Sequence, residues 1–357
     1  MMRRSILTGA AATLALGGAG MAGWRAAAGS QASYDRYTAR LRAPLPGDPP
    51  MADLLRYASL AASGHNTQPW QFEVSPGIIT LRPNLSYSTP VVDPDNHHLV
   101  VSLGCAMETL AIAAGASGRP GEADAIGGLT YRYVRGPLRA DPLLAAIPAR
   151  QSTRADYDGR PVPAADLAQL AQAGSLPGVR LILITERPRM NQIRDLVIAG
   201  NTTQMASAAF VAELKHWLRF SHRSAMEAGD GLYAAASGNP VLPDALGRFA
   251  FDQVFTTAAE NDKYARHLAT SAGLAVFVAE REDSAHWVAV GRACQRFALT
   301  ATALGLKHAF LNQPVEVAAL RPELASLIGE PGMRPDLVMR FGYGPTLPWS
   351  PRRGGQM

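Results

Sequence analysis

GCAMETLAIAAGASG, residues 104–118, and GRACQRFALTATALG, residues 291–305, decide how this chain folds. Laid together without a gap, they are identical at Gly104/Gly291, Ala106/Ala293, Ala111/Ala298, Ala114/Ala301, Ala116/Ala303 and Gly118/Gly305. Leu110/Phe297 and Ile112/Leu299 keep apolar character. An internal echo of this kind marks two related units in one chain. Each copy has helical spacing, follows a strand-like run and precedes another strand. Small side chains let helix backbones approach closely. The reading is therefore α+β: two halves packed through their alanine-rich helices as a tandem pseudo-dimer, with any ligand at the seam.

Outward from these helices, residues 51–140 form the first half and 141–357 the second. In the first, residues 51–62 have helical periodicity. Gln71 to Val74 and Ile78 to Arg82 flank Ser75-Pro76-Gly77 as a hairpin, and Leu129 to Val134 reads as a strand. The Leu99–Ala116 helix is entered past Asp93-Pro94-Asp95-Asn96. In the second, Leu167 to Ala173 is a short helix and Val179 to Thr185 a strand. Residues 190–219 are mostly helix and 224–262 irregular. Gly273 to Ala279 and Leu337 to Tyr343 are strands, and Asp283 or Ser284 caps a helix reaching Leu304. Residues 29–50, with PLPGDPP, read as a linker.

Of 357 residues, 47% are apolar and 18% charged, enough for a sizeable core and incompatible with global disorder. The net charge of +5 is carried mainly by arginine, without a block of like charges or an aromatic-interleaved basic run. That argues for phosphate or other anion contacts and against nucleic acid as a partner. Cys105 and Cys294, both in alanine-rich helical contexts, read as small buried thiols. Arg3-Arg4-Ser5-Ile6-Leu7 resembles a twin-arginine (Tat) export signal. A weakly hydrophobic Gly/Ala run and Ala26-Ala27-Ala28 follow, so residues 1–28 are expected to be a Tat-type signal peptide. Export through the Tat translocase to a periplasmic or extracytoplasmic location follows. An uncleaved N-terminal membrane anchor is the alternative.

Four stretches could carry chemistry. ASGHNTQPWQFEV, residues 62–74, gathers Ser63, His65, Asn66 and Gln68 before a strand. Arg150-Gln151-Ser152-Thr153-Arg154 offers two guanidinium forks and two hydroxyls, suited either to a phosphate or to a solvated loop. Asn312-Gln313-Pro314 is either turn chemistry or the edge of a heteroaromatic ring. Arg352 and Arg353 form a basic tail beyond the last strand. Asp93, Asp95, His97 and His98 look metal-like, but adjacent histidines diverge on a helix and Asp-Pro-Asp is capping chemistry; no metal is expected. HExxH, CxxC, GxSxG, Walker A and post-strand GxGxxG motifs are absent.

Together, these stretches resemble the FMN-dependent nitroreductase family, with its Arg-rich opening, its N-x-Q-P-W segment and its basic C-terminal tail. In ordinary members the Arg-rich segment comes first; here it follows the Asn-Gln-Pro-Trp segment. That order resembles the Acg-like branch, in which one chain holds two nitroreductase-like halves. Val92-Asp93-Pro94-Asp95, Trp217-Leu218-Arg219 and Gly229-Asp230-Gly231-Leu232 fit the same branch.

The resemblance implies one FMN per chain. Arg150, Ser152 and Arg154, with Arg352 or Arg353, would hold its phosphate. Ser63, Asn66 and Gln68 would come from the other half, and Asn312 and Gln313 would lie beside the ring. It implies a lid at about 224–245 and a pseudo-dimeric monomer. The implied activity is electron transfer from a reduced donor, NAD(P)H or another, to a small nitroaromatic or quinone acceptor, with no catalytic side chain. Flavin sequestration with little turnover is the alternative.

Overall fold

The computed structural model describes residues 23–125 and 128–354. Residues 1–22 of the expected signal segment lie outside the described residues; 23–28 are helical, and Ala28 is buried. The stretch expected as a linker contains a capped helix, Gln31–Leu41 (α1), where Ser30 Oγ accepts the Ser33 amide. Its apolar stripe is narrow and its composition polar, which hides it in the sequence. Tyr34 and Thr38 nevertheless bury one face, and Tyr34 packs on Tyr233 with ring centroids 4.5 Å apart.

The helix Met51–Ala58 (α2) leads through the 62–69 segment to the hairpin Trp70–Ser75 (β1) and Ile78–Pro83 (β2). Ser75 pairs with Ile78 across a Pro76-Gly77 turn, with Gly77 at φ 73°. The helix His97–Ala116 (α3) and the strands Gly121–Asp124 (β3) and Leu129–Tyr133 (β4) follow. The sheet is antiparallel, in the order β1-β2-β4-β3. Sequence reading missed β3, a four-residue edge strand with no alternating pattern.

The second half opens with Ala164–Gly174 (α4), Val179–Ile184 (β5), Arg187–Met205 (α5) and Ala208–Trp217 (α6). Leu218–Arg219 (β6) ends the stretch expected to be mostly helix, and His222–Ala228 (α7), Leu232–Tyr233 (β7), Asp244–Val254 (α8) and Thr257–Ala269 (α9) fill most of residues 224–262, expected to be irregular. Two of these helices have their own capped start: a Ser221/Ser224 capping box for α7 and Thr256 for α9. Gly229, Gly231 and Gly238, all at positive φ, lie between the helices rather than within them. Gly273–Ala279 (β8), Ser284–Ala303 (α10, capped by Asp283), Lys307–Phe310 (β9), the short helices Gln313–Glu316 and Arg321–Leu327, and Pro335–Gly342 (β10) follow. The second sheet is β5-β8-β10-β9, with β8, an unbroken apolar run, and β10, which carries Asp336 and Arg340, both buried along their whole length.

The two echoing helices, α3 and α10, cross at their matched glycines. A Cβ on Gly104 would lie 2.2 Å from the Val288 carbonyl oxygen, and one on Gly291 would lie 2.0 Å from that of Val101. Each contact becomes the other when residues are exchanged for their repeat partners, as at a two-fold interface. Further along the seam, buried Glu108 accepts from Arg292 and Arg296, each at 2.7 Å. α3 is long and apolar enough to cross a bilayer, but 83% of its most apolar window is buried inside the protein. Cys105 and Cys294 are both free and buried.

Candidate functional site

A cavity of about 390 Å³ runs along the seam. Ser63, His65, Ser102 and Cys105 line it from the first half; Arg154, Asn312 and Gln313 line it from the second. A smaller space of about 30 Å³ is walled by Arg42, Arg150, Arg154 and Arg352, with Ser63, Asn66 and Ser152. Ser63, Arg154 and Phe310 line both, so the two spaces adjoin.

Four arginines thus line one small space; the charges of Arg42, Arg150 and Arg352 act on one another, whereas that of Arg154 acts on Arg340, His267 and His65. Among the described residues, none of the four is hydrogen-bonded or electrostatically coupled to a carboxylate. Arg42 donates to the Pro148 carbonyl at 2.7 Å and lies over the Trp349 ring at 4.0 Å. Arg150 donates to Leu60 O at 2.9 Å, and Arg352 to Asn66 Oδ1 at 2.6 Å. Arg150 Nε and Arg352 Nε are buried without a partner among the described residues. Arg154 has no hydrogen-bond partner among the described residues. Burial lowers the pKa of all four; for Arg352, burial and then the charge of Arg150 bring it to about 9. Buried like charges without a counter-charge are costly, and a dianion at their centre would offset that cost.

The 62–69 segment is backbone-strained and tied down. His65, Asn66 and Gln68 hold left-handed φ values of 45°, 56° and 52°. The Asn66 amide donates to Gly231 O and Pro351 O at 3.0 and 3.1 Å. Gln68 donates to Gly229 O at 2.9 Å and accepts the Arg353 amide at 3.0 Å. Arg353 in turn pairs with Asp230 at 2.8 Å and stacks over Tyr87 at 3.6 Å. These groups clasp the 229–231 glycine loop and the tail to the segment.

The ten residues singled out from sequence therefore divide by position. Ser63, Arg154, Asn312 and Gln313 line the large cavity; Ser63, Asn66, Arg150, Ser152, Arg154 and Arg352 line the small one. Gln68 and Arg353 line neither, because protein partners take up their polar atoms. Asn312 Oδ1 accepts the Val338 amide at 3.0 Å, while buried Gln313 Oε1 has no partner among the described residues. Residues 232–242, within the segment expected to be a lid, contribute Leu232, Ala234, Asn239 and Leu242 to the cavity wall.

Sequence reasoning missed Arg42, which lies in the supposed linker with no motif around it. It also missed Glu316, whose carboxyl pKa is raised by burial and which accepts from Gln204 at 2.6 Å. Asp93, His97 and His98 do converge, with ligand atoms within 4.8 Å of one another. Asp93, however, accepts the His98 and Leu99 amides at the start of α3, and His97 Nε2 meets Asp336 Oδ1 of β10 at 2.6 Å. The cluster caps a helix and ties the halves together.

No family model matches the chain. Two Mycobacterium tuberculosis proteins, from strains CDC 1551 and H37Rv, are each named "Putative NAD(P)H nitroreductase". Each is 27% identical to it over 318 residues, 84% of this chain and 88% of the relative. Among solved structures, a nitroreductase with bound FMN from Desulfitobacterium hafniense aligns with 60% of this chain and 94% of its own length. Its sequence identity is 15% and its TM-score 0.37. The FMN-dependent nitroreductase NfnB from Mycobacterium smegmatis, in complex with NADPH, aligns with 57% of this chain and 87% of its own. There the identity is 11% and the TM-score 0.37.

Proposed function

We propose that this chain is a nitroreductase-like oxidoreductase that holds one FMN in the seam between its halves, in the manner of the Acg-like branch. The observation that carries the proposal is the small space, adjoining the large cavity, that is lined by four arginines, none paired with a carboxylate among the described residues. A dianionic phosphate supplies the charge this cluster lacks, and Ser63 and Ser152 add neutral donors beside it. The unpartnered Gln313 amide oxygen suits a ring N–H on a heteroaromatic edge. FMN, when bound, supplies the hydride and electron chemistry. The chain's own residues anchor the phosphate, orient the ring and wall it from water. None need act as acid or base.

The donor is NAD(P)H or another reductant, and the acceptor a small electron-poor molecule of the nitroaromatic or quinone type. A Tat-type signal and function outside the cytoplasm, with the chain acting as a pseudo-dimeric monomer, complete the reading. Purified protein should be yellow, with one FMN per chain. NAD(P)H or a quinol should bleach the flavin in stopped flow, and a nitroaromatic or quinone should restore it. A protein that takes up no FMN sinks the proposal. The cavity wall formed by residues 232–242 favours flavin sequestration as the second reading; bleaching by dithionite alone would select it.

A further inference from the structure

Part of the cavity lining is apolar and aromatic. Phe210 and Leu214 of α6, Phe220, and Phe251, Val254 and Phe255 of α8 and its end form it. The Phe251 and Phe255 rings stack at 4.2 Å, and Phe220 meets Phe251 edge-on at 6.3 Å. This lining does not stop at the mouth. Val254 lines the cavity yet is 68% exposed, so it stands at the opening. On the outer face of the same helix, Phe249 and Leu246 are 63% and 44% exposed. Phe249 and Leu246 are three residues apart and therefore neighbours on the helix surface. An apolar track thus leads out of the cavity along α8, where Val254, Ala250 and Leu246 follow one another at four-residue spacing and Phe249 flanks Leu246.

We propose that the cavity takes a ring compound bearing an apolar tail, of the alkylated or prenylated quinone class, with the ring inside and the tail along α8. The track is one helix wide and, over the eight residue steps from Leu246 to Val254, about 12 Å long. That matches a chain of roughly ten carbons and falls well short of the roughly 800 Å² per side that a stable protein partner buries. The head-group class rests on the redox reading above; the tail path rests on α8 alone.

The test is calorimetric titration of the protein, FMN-loaded and cofactor-free, with two benzoquinones sharing a head group and bearing a decyl or a methyl substituent. Each buried methylene tightens binding by up to about fourfold, so the decyl compound should bind at least tenfold more tightly. Phe249→Asp and Leu246→Asp, both at exposed positions, should remove most of that preference and leave the methyl compound unchanged. Val134→Asp, at an equally exposed apolar site outside the cavity lining, should alter neither.

Equal affinity for the two quinones overturns the inference, as does equal weakening by Val134→Asp. So does a chain dimer, or sedimentation with phosphatidylcholine vesicles, that Phe249→Asp abolishes, because α8 would then face another copy or a bilayer. A tail preference in a protein that never binds FMN would uphold this path and refute the flavin reading. A yellow protein indifferent to tail length would do the reverse.

Discussion

His65, Asn66 and Gln68 occupy a backbone region that costs each non-glycine residue roughly 1–3 kcal/mol. The clasp holds them there, which separates two kinds of residue that look alike in the sequence. Arg154 donates no hydrogen bond to a described residue, whereas Arg352 holds Asn66 and the 60–61 carbonyls. Arg154→Ala should therefore lower FMN affinity about tenfold to a hundredfold and leave the Tm of cofactor-free protein nearly unchanged. Arg352→Ala should lower both. Thermal melts beside flavin titrations check this, and a large drop in the cofactor-free Tm of Arg154→Ala would refute it. Motif chemistry made Gln68 and Arg353 legible as polar groups near the site. It could not show that backbone carbonyls and Asp230 already engage them.

The same segment sets a pH response. Burial first, then the charges of Arg154 and His98, lower the His65 pKa to about 4. Burial and Arg340 lower that of His267 to about 3. Unfolded histidine titrates near 6.5, so between about pH 6.5 and 4 the unfolded chain binds protons that the folded chain refuses. Stability is accordingly full above about pH 6.5 and falls as the pH drops. His65→Asn tolerates the left-handed backbone and should flatten the slope by less than about 1.4 kcal/mol per pH unit. Urea unfolding at pH 7 and pH 5 reads it out; an unchanged slope would count against a neutral, buried His65.

At the scale of elements, the α3–α10 crossing depends on two missing side chains. Gly104→Ala and Gly291→Ala should each cost about 2–4 kcal/mol, because the added Cβ meets rigid backbone on the facing helix. The double variant should cost less than their sum, since one displacement relieves both clashes. Denaturant midpoints for the three variants check this. Glu108→Gln should cost only about 1–2 kcal/mol, because about a third of each partner arginine's side chain is exposed to water. The crossing was legible because glycines recur in register within two apolar helices. The hairpin was legible through Pro76-Gly77. α1, β3 and β9 were not: α1 buries a narrow stripe, and β3 and β9 are each four residues long. The helices between residues 222 and 262 were hidden by glycines that punctuate them, since a glycine marks a break without saying what resumes after it.

Across the whole molecule, the proposed phosphate space draws on residues as far apart as Arg42 and Arg352, with Ser63 and Arg150 between them. Only part of that assembly could be read from motifs, because proximity in the fold leaves no trace in the spacing of single residues. A ligand that binds only the assembled state stabilises the whole. FMN at a hundred times its Kd should add about 2.7 kcal/mol and raise the Tm by several degrees. Free riboflavin, which lacks the phosphate, should give a much smaller shift. Equal shifts from the two would refute the arginine cluster as the phosphate anchor.

The tie between Arg352 and Asn66 spans 286 positions. During synthesis, Asn66 leaves the ribosome long before the guanidinium that will hold it. Contacts this distant in sequence form late, after the entropy of closing a long loop has been overcome. The strained 65–68 backbone thus waits for its restraint, and the proposed phosphate space stays open on the side that Arg352 will close. On the proposed flavin reading, cofactor capture is a late step that reports on the entire chain, and a chain ended before residue 352 should not retain FMN.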